Sequence, residues 1–79
     1  MAELKQETIE SFFEKYGIVD QEDKAKLLLE ITDIIYNYNM SVVKAEKETD
    51  PYKKNQLLVS VEEYRAKIDE IFKDFLSKK

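Results

Sequence analysis

Two apolar stripes with heptad spacing, one on each side of a single Asp-Pro turn, constrain this chain of 79 residues more than any other feature. The stripe before the turn has residues three and four positions apart: Leu28, Ile31, Ile35, Tyr38, Val42 and Ala45. The stripe after the turn repeats that spacing: Leu57, Val61, Tyr64, Ile68, Ile71 and Phe75. Such spacing keeps one side of a helix against a partner helix. Because Asp50 at an N-cap followed by Pro51 favours a helix start, the chain is predicted to form a long helical hairpin.

A shorter helix is predicted before the hairpin. Its apolar residues share one helical face: Leu4, Ile9, Phe12, Phe13 and Tyr16. Gly17 interrupts this pattern, and Asp20, with Asp23 three residues later, is a typical start for the next helix. We therefore expect three helices, over residues of about 3–16, 21–48 and 51–77.

The middle helix is predicted to be continuous through Asn37–Ser41. Asn37, Asn39 and Ser41 are poor helix formers, but the apolar stripe passes through them without a change of phase. The two turns are short, which forces neighbouring helices to be antiparallel. The predicted fold is all-α, an antiparallel three-helix bundle built on the long hairpin, with a single domain over residues 1–79.

Motifs for catalysis and metal binding are missing from the sequence. The chain has no His and no Cys, which removes the commonest general base, zinc ligand and thiol nucleophile. Its only glycine is Gly17, so there is no glycine-rich phosphate loop. The acidic run Asp20–Asp23 does not continue as an EF-hand, because Ala25 and Ile31 replace the required glycine and glutamate. We expect no enzymatic activity, no cofactor and no metal.

The net charge and the hydropathy of the chain argue against some classes of binding partner. The formal net charge is −4, whereas binding to nucleic acid is built from clustered Lys and Arg. An acidic mimic of nucleic acid is less favoured, because Lys and Glu are intermixed. No apolar run approaches the roughly 18 residues of a membrane span, and the acidic N-terminal residues do not suit a signal peptide. We expect a cytoplasmic protein that binds neither nucleic acid nor the membrane interior.

The chain has more apolar residues than a hairpin needs. Helix one, about 21 Å long at 1.5 Å per residue, is expected to cover the end of the hairpin that holds Leu27–Ile35 and Ile68–Phe75. The hairpin tip is then thinly covered, and its apolar residues are Tyr36, Met40, Val43, Leu57 and Leu58. Exposed apolar patches usually mark a partner, so we expect either a homodimer or a tip that binds another protein or peptide.

Helix three carries a second stripe, formed by Leu58, Arg65 and Phe72. This stripe suits a groove that grips an amphipathic segment, with the planar guanidinium of Arg65 pairing with a carboxylate. In the alternative interpretation, Leu58 and Phe72 are buried and Arg65 extends over them. The candidate partner-binding residues are therefore Tyr36, Met40, Val43, Leu58, Arg65 and Phe72.

The run from Val61 to Lys73 is similar to the last helix of MIT (microtubule-interacting and transport) domains. In that helix a Glu-Tyr pair, here Glu63-Tyr64, is followed by a basic residue, an apolar residue, an acidic residue and a leucine. Pro51 also suits that family, and Lys15–Asp20 looks like the end of its first helix. Members of the family are three-helix bundles of about this size. The resemblance implies docking of short tail peptides of ESCRT-III-type subunits in grooves beside helix three.

Two departures from the family pattern bear on its docking modes. Tyr16 stands where the family usually has Ala, and Arg65 stands where it has a Leu that lines the groove between helices two and three. The groove between helices one and three is less affected. The alternative function is a small helical protein, encoded by a phage or mobile element, that homodimerises and inhibits a host factor by occlusion.

Overall fold

The computed structural model describes residues 6–78, and these form three α-helices. Helix α1 spans Ile9–Tyr16, α2 spans Gln21–Lys47 and α3 spans Pro51–Ser77. Helices α2 and α3 are in extensive contact as an antiparallel hairpin, and the short α1 packs on them. The predicted fold class, all-α with three helices built on a helical hairpin, is confirmed.

Capping residues explain where the hairpin helices begin. The Asp20 carboxylate accepts a hydrogen bond from the Glu22 amide at 2.8 Å, and the Asp50 carboxylate accepts one from the Tyr52 amide at 3.0 Å. Each bond satisfies an amide that has no partner within its own helix. Helix α2 is continuous through residues 37–41 and ends at Lys47, so its predicted continuity is confirmed.

Helix α1 begins later than the predicted residue 3. Thr8 is its N-cap, with the Thr8 hydroxyl accepting from the Ser11 amide at 3.1 Å, and residues 6–8 are not helical. Residues 3–5 lie outside the described residues. At the other end, Gly17 adopts the left-handed conformation with φ of 71°, and the Ile18 amide donates to the Phe13 carbonyl at 2.8 Å. This is the glycine C-cap expected at a helix end.

The core lies along the hairpin and under α1. Its buried residues are Phe12, Phe13, Ile18, Leu27, Ile31, Ile35, Tyr38, Val42, Val61, Ile68 and Phe72. The assignment of Leu28 to the α2 stripe is wrong, since Leu28 is 43% exposed while Leu27 is fully buried. Both residues lie within one helical turn of Ile31, so spacing alone could not separate them.

Aromatic rings join α1 to the hairpin. The Phe12 ring meets Tyr38 edge-on with centroids 6.1 Å apart, and the Tyr16 ring stacks on Phe72 at 4.4 Å. Lys24, near the start of α2, lies over the Phe13 ring. Glu7, just before α1, contacts Asn39 further along α2. These contacts show that α1 runs antiparallel to α2 and covers the hairpin end away from the Asp-Pro turn.

Candidate functional site

The structure separates the six predicted partner-binding residues into three places. Tyr36 and Met40 are exposed and Val43 is half-buried, all on α2. Leu58 is half-buried on α3. Also on α3, Arg65 is half-buried and Phe72 is fully buried.

Phe72 is a core residue, and its assignment to a partner-binding stripe is corrected. It is fully buried, and its ring packs against the rings of Phe12, Phe13 and Tyr16. The stripe that contains Phe72 is the side of α3 that faces α1. A partner therefore cannot contact this ring while α1 is in place.

Arg65 is part of the bundle's own polar network. Its Nη2 donates a hydrogen bond to the Tyr38 hydroxyl at 2.7 Å, and its guanidinium carbon lies 5.6 Å from the Tyr38 ring centroid. This hydrogen bond raises the pKa of the Arg65 guanidinium. Its Nη1 also lies 3.8 Å from a Glu62 carboxylate oxygen. Arg65 therefore extends over Tyr38, whereas the alternative interpretation had expected it to extend over Leu58 and Phe72.

Tyr16 and Asp69 meet across the groove between α1 and α3, where both line a cavity of about 340 Å³. The Tyr16 hydroxyl donates to the Asp69 carboxylate at 2.6 Å, and Lys73 pairs with the same carboxylate at 3.0 Å. Burial, together with the bond to Asp69, raises the pKa of Tyr16 to about 12. The hydrogen bonds from Tyr16 and then Lys73 lower the pKa of Asp69. Sequence reasoning did not find this pair, because 53 residues separate its members.

An apolar stripe faces outward from α2. Leu29 is 90% exposed, Tyr36 is 63% exposed, and Met40 and Val43 continue the same side of the helix. We call these four residues the outer α2 face. Leu29 and Val43 lie about 21 Å apart along the helix axis. Leu29 was not among the predicted site residues, although its seven-residue spacing from Tyr36 was the signal that could have found it.

A groove at the hairpin tip continues the outer α2 face. It has a volume of about 660 Å³ and lies between the end of α2 and the start of α3. The lining residues are Met40, Val43, Lys44, Lys47, Glu48, Lys53, Gln56, Leu57 and Ser60. Three lysines and one glutamate therefore line this groove together with its apolar residues.

A second depression lies on α3 alone. Leu58, Val59 and Ala66 supply its apolar part, and Glu62 and Glu63 supply its charge. Leu58 thus belongs to this depression and not to the tip groove. The two surfaces differ in the sign of their charge, because lysines surround the tip groove and glutamates surround the α3 depression.

Among residues 6–78, no group of three or more acidic side chains is placed to hold a metal ion. Within the same residues, no helix is both long enough and apolar enough to cross a membrane. The fold and the exposed faces define an all-α helical bundle with apolar surface on its long hairpin. No protein-family model, curated protein sequence or solved structure matches the chain. The resemblance to MIT domains therefore stays a prediction.

Proposed function

We propose that this chain is a non-enzymatic protein-interaction module that binds a protein partner through the outer α2 face. The observation that carries the proposal is the exposure of Leu29, Tyr36 and Met40 on one side of a continuous helix. The hairpin core is complete without these side chains. Tyr and Met are also among the residues enriched at protein interfaces.

The position of the face on the bundle supports a binding role. Helix α2 is held on one side by α3 and at its start by α1, so the outer face is presented on a supported helix. A preorganised surface loses less conformational entropy when a partner binds. Lys44, Lys47 and Lys53 at the tip groove would favour a partner with acidic groups at that end.

The second candidate function is the docking of a short tail peptide beside α3, as the MIT resemblance implies. The α3 depression supports it, because Leu58 and Val59 would contact apolar residues of a peptide while Glu62 and Glu63 pair with its basic residues. The groove between α1 and α3 also supports it, with a cavity of about 340 Å³ whose two sides are joined by the Tyr16–Asp69 hydrogen bond. In the alternative function, a homodimer that occludes a host factor, the outer α2 face would be the interface between the two copies.

Site-specific photo-crosslinking separates these candidates. The photoreactive residue p-benzoylphenylalanine would replace Tyr36 on the outer α2 face, Glu63 in the α3 depression, or Lys67 as an exposed control. Each purified protein would be irradiated in lysate of the cells that encode the chain. We expect discrete protein adducts from position 36 that are missing from position 67.

Adducts from position 63 alone would favour the α3 depression and contradict binding at α2. Identical adducts from all three positions would indicate collision without a site, and would contradict both candidates.

A further inference from the structure

We infer that the outer α2 face binds the same face of a second copy of this chain, with the two α2 helices antiparallel. The inference rests on the proposed function, because it names the partner of that same surface. It follows from the placement of apolar residues about Tyr36 and from the distribution of charge along α2.

The apolar residues are arranged symmetrically along the helix. Leu29 and Val43 each lie seven residues from Tyr36, one toward each end of α2. A two-fold axis near Tyr36 would place Leu29 of each copy against Met40 and Val43 of the other. A self-complementary patch of this kind is what a two-fold dimer requires, because both copies use the same residues.

The charges favour the antiparallel orientation. In the first half of α2, the exposed acids Glu22, Glu30 and Asp33 outnumber the exposed Lys26. In the last part of the helix, Lys44 and Lys47 outnumber Glu46. Antiparallel pairing brings the acidic half of each copy to the basic half of the other, whereas parallel pairing would bring like charges together.

One ion pair follows from this arrangement. With the axis near Tyr36, Glu22 of one copy lies within about one helical turn of Lys47 of the other. The two-fold axis repeats the pair at the opposite end of the interface. The helix dipoles also oppose one another in this orientation, which is the favourable arrangement.

Disulfide trapping tests the orientation, because the chain has no cysteine of its own. Under mild oxidation, Tyr36→Cys should give a covalent dimer because residue 36 lies near the axis. Leu29→Cys should not give a covalent dimer, because the two copies of residue 29 would be about 21 Å apart. A disulfide spans only roughly 4.4–6.8 Å between Cα atoms. Lys67→Cys, exposed on α3, is the control and should stay monomeric. Equal trapping through Leu29→Cys and Tyr36→Cys would indicate parallel helices and overturn the inference.

Sedimentation equilibrium of the purified chain tests the dimer itself. Leu29→Lys should raise the dimer dissociation constant by about a hundredfold, because each copy would bury a positive charge beside the lysines at 44 and 47 of the other copy. Val19→Lys should leave the constant unchanged, since Val19 is 83% exposed in the turn before α2. Both substitutions are at exposed positions, so circular dichroism should show the wild-type helical signal.

Charge reversal tests the ion pair. Glu22→Lys and Lys47→Glu should each weaken the dimer by about two- to thirtyfold, the range for exposed pairs repeated twice. The combined variant should return to within about twofold of wild type, because antiparallel pairing restores opposite charges. A combined variant weaker than either single variant would contradict the pairing.

The experiments can overturn the dimer without overturning the proposed function. A wild-type chain that stays monomeric at all concentrations overturns this inference. In that case, lysate adducts from position 36 to a different protein would still support the proposed function. A monomer without adducts from position 36 would overturn both.

Discussion

Asn39 holds the backbone of Glu7 by two hydrogen bonds. The Asn39 side-chain amide donates to the Glu7 carbonyl at 2.8 Å, and the Asn39 side-chain oxygen accepts from the Glu7 amide at 2.8 Å. The pair fixes the segment before α1 to the middle of α2, across a separation of 32 residues. It therefore sets where α1 begins to cover the hairpin.

Replacing Asn39 should loosen this attachment. We expect Asn39→Ala to lower the free energy of unfolding by about 1–3 kcal/mol, because two half-buried backbone groups lose their partners. Asn37→Ala is the matched control, since Asn37 is exposed on the same helix and the same gain in helix propensity applies. Urea denaturation gives both values. Equal stabilities of the two variants would show that the Glu7–Asn39 pair does not hold α1 in place.

The Tyr16–Asp69 pair should make stability depend on pH at both extremes. The pKa of Tyr16 is raised to about 12 in the folded chain, against about 10 when unfolded. Its stabilising effect is therefore complete below pH 10 and is lost as the pH rises through 12. The pKa of Asp69 is lowered by folding, so its effect is present above about pH 4 and is lost as the pH falls.

Titration of the Tyr16 ring by ¹³C NMR checks this linkage. We expect a midpoint of about 12 in wild type. Asp69→Ala should move the midpoint toward 10, because it removes both the hydrogen-bond acceptor and the negative charge. Asp74→Ala, on the same helix and paired with Lys78, should leave the midpoint unchanged. A midpoint unaffected by Asp69→Ala would disprove the coupling.

Two adjacent leucines provide a test of the core. Leu27→Ala should cost about 2–5 kcal/mol of unfolding free energy, since it leaves a cavity where the side chain is fully buried. Leu28→Ala should cost much less, because Leu28 is 43% exposed. Thermal or urea unfolding of the two variants provides the comparison. The opposite order would restore Leu28 to the hairpin stripe.

Much of the fold was predictable from local patterns. Heptad spacing predicted the hairpin, and Asp20 and Asp50 predicted the starts of α2 and α3, because caps and apolar periodicity act within one or two helical turns. The start of α1 was not predictable in this way. It depends on Thr8 and on the contact between Glu7 and Asn39, which is distant in sequence.

The candidate site was predictable only in part, for the same reason. Tyr36, Met40 and Val43 could be placed near exposed surface because the α2 stripe left them out. Phe72 was misassigned because the periodicity of α3 does not say on which side α1 packs. The roles of Arg65 and Tyr16 depend on Tyr38 and Asp69, which belong to other helices.

The most direct test of the outer α2 face compares two tyrosines by hydroxyl-radical footprinting. Tyr36 lies on the outer α2 face, whereas Tyr52 lies at the start of α3, and the two are 63% and 73% exposed. In dilute purified protein, both should be modified to a similar extent. In the cells that encode the chain, we expect Tyr36 to be protected several-fold while Tyr52 is not, whether a second copy or another protein covers the face. Equal modification of Tyr36 and Tyr52 in those cells would contradict a docking role for this face.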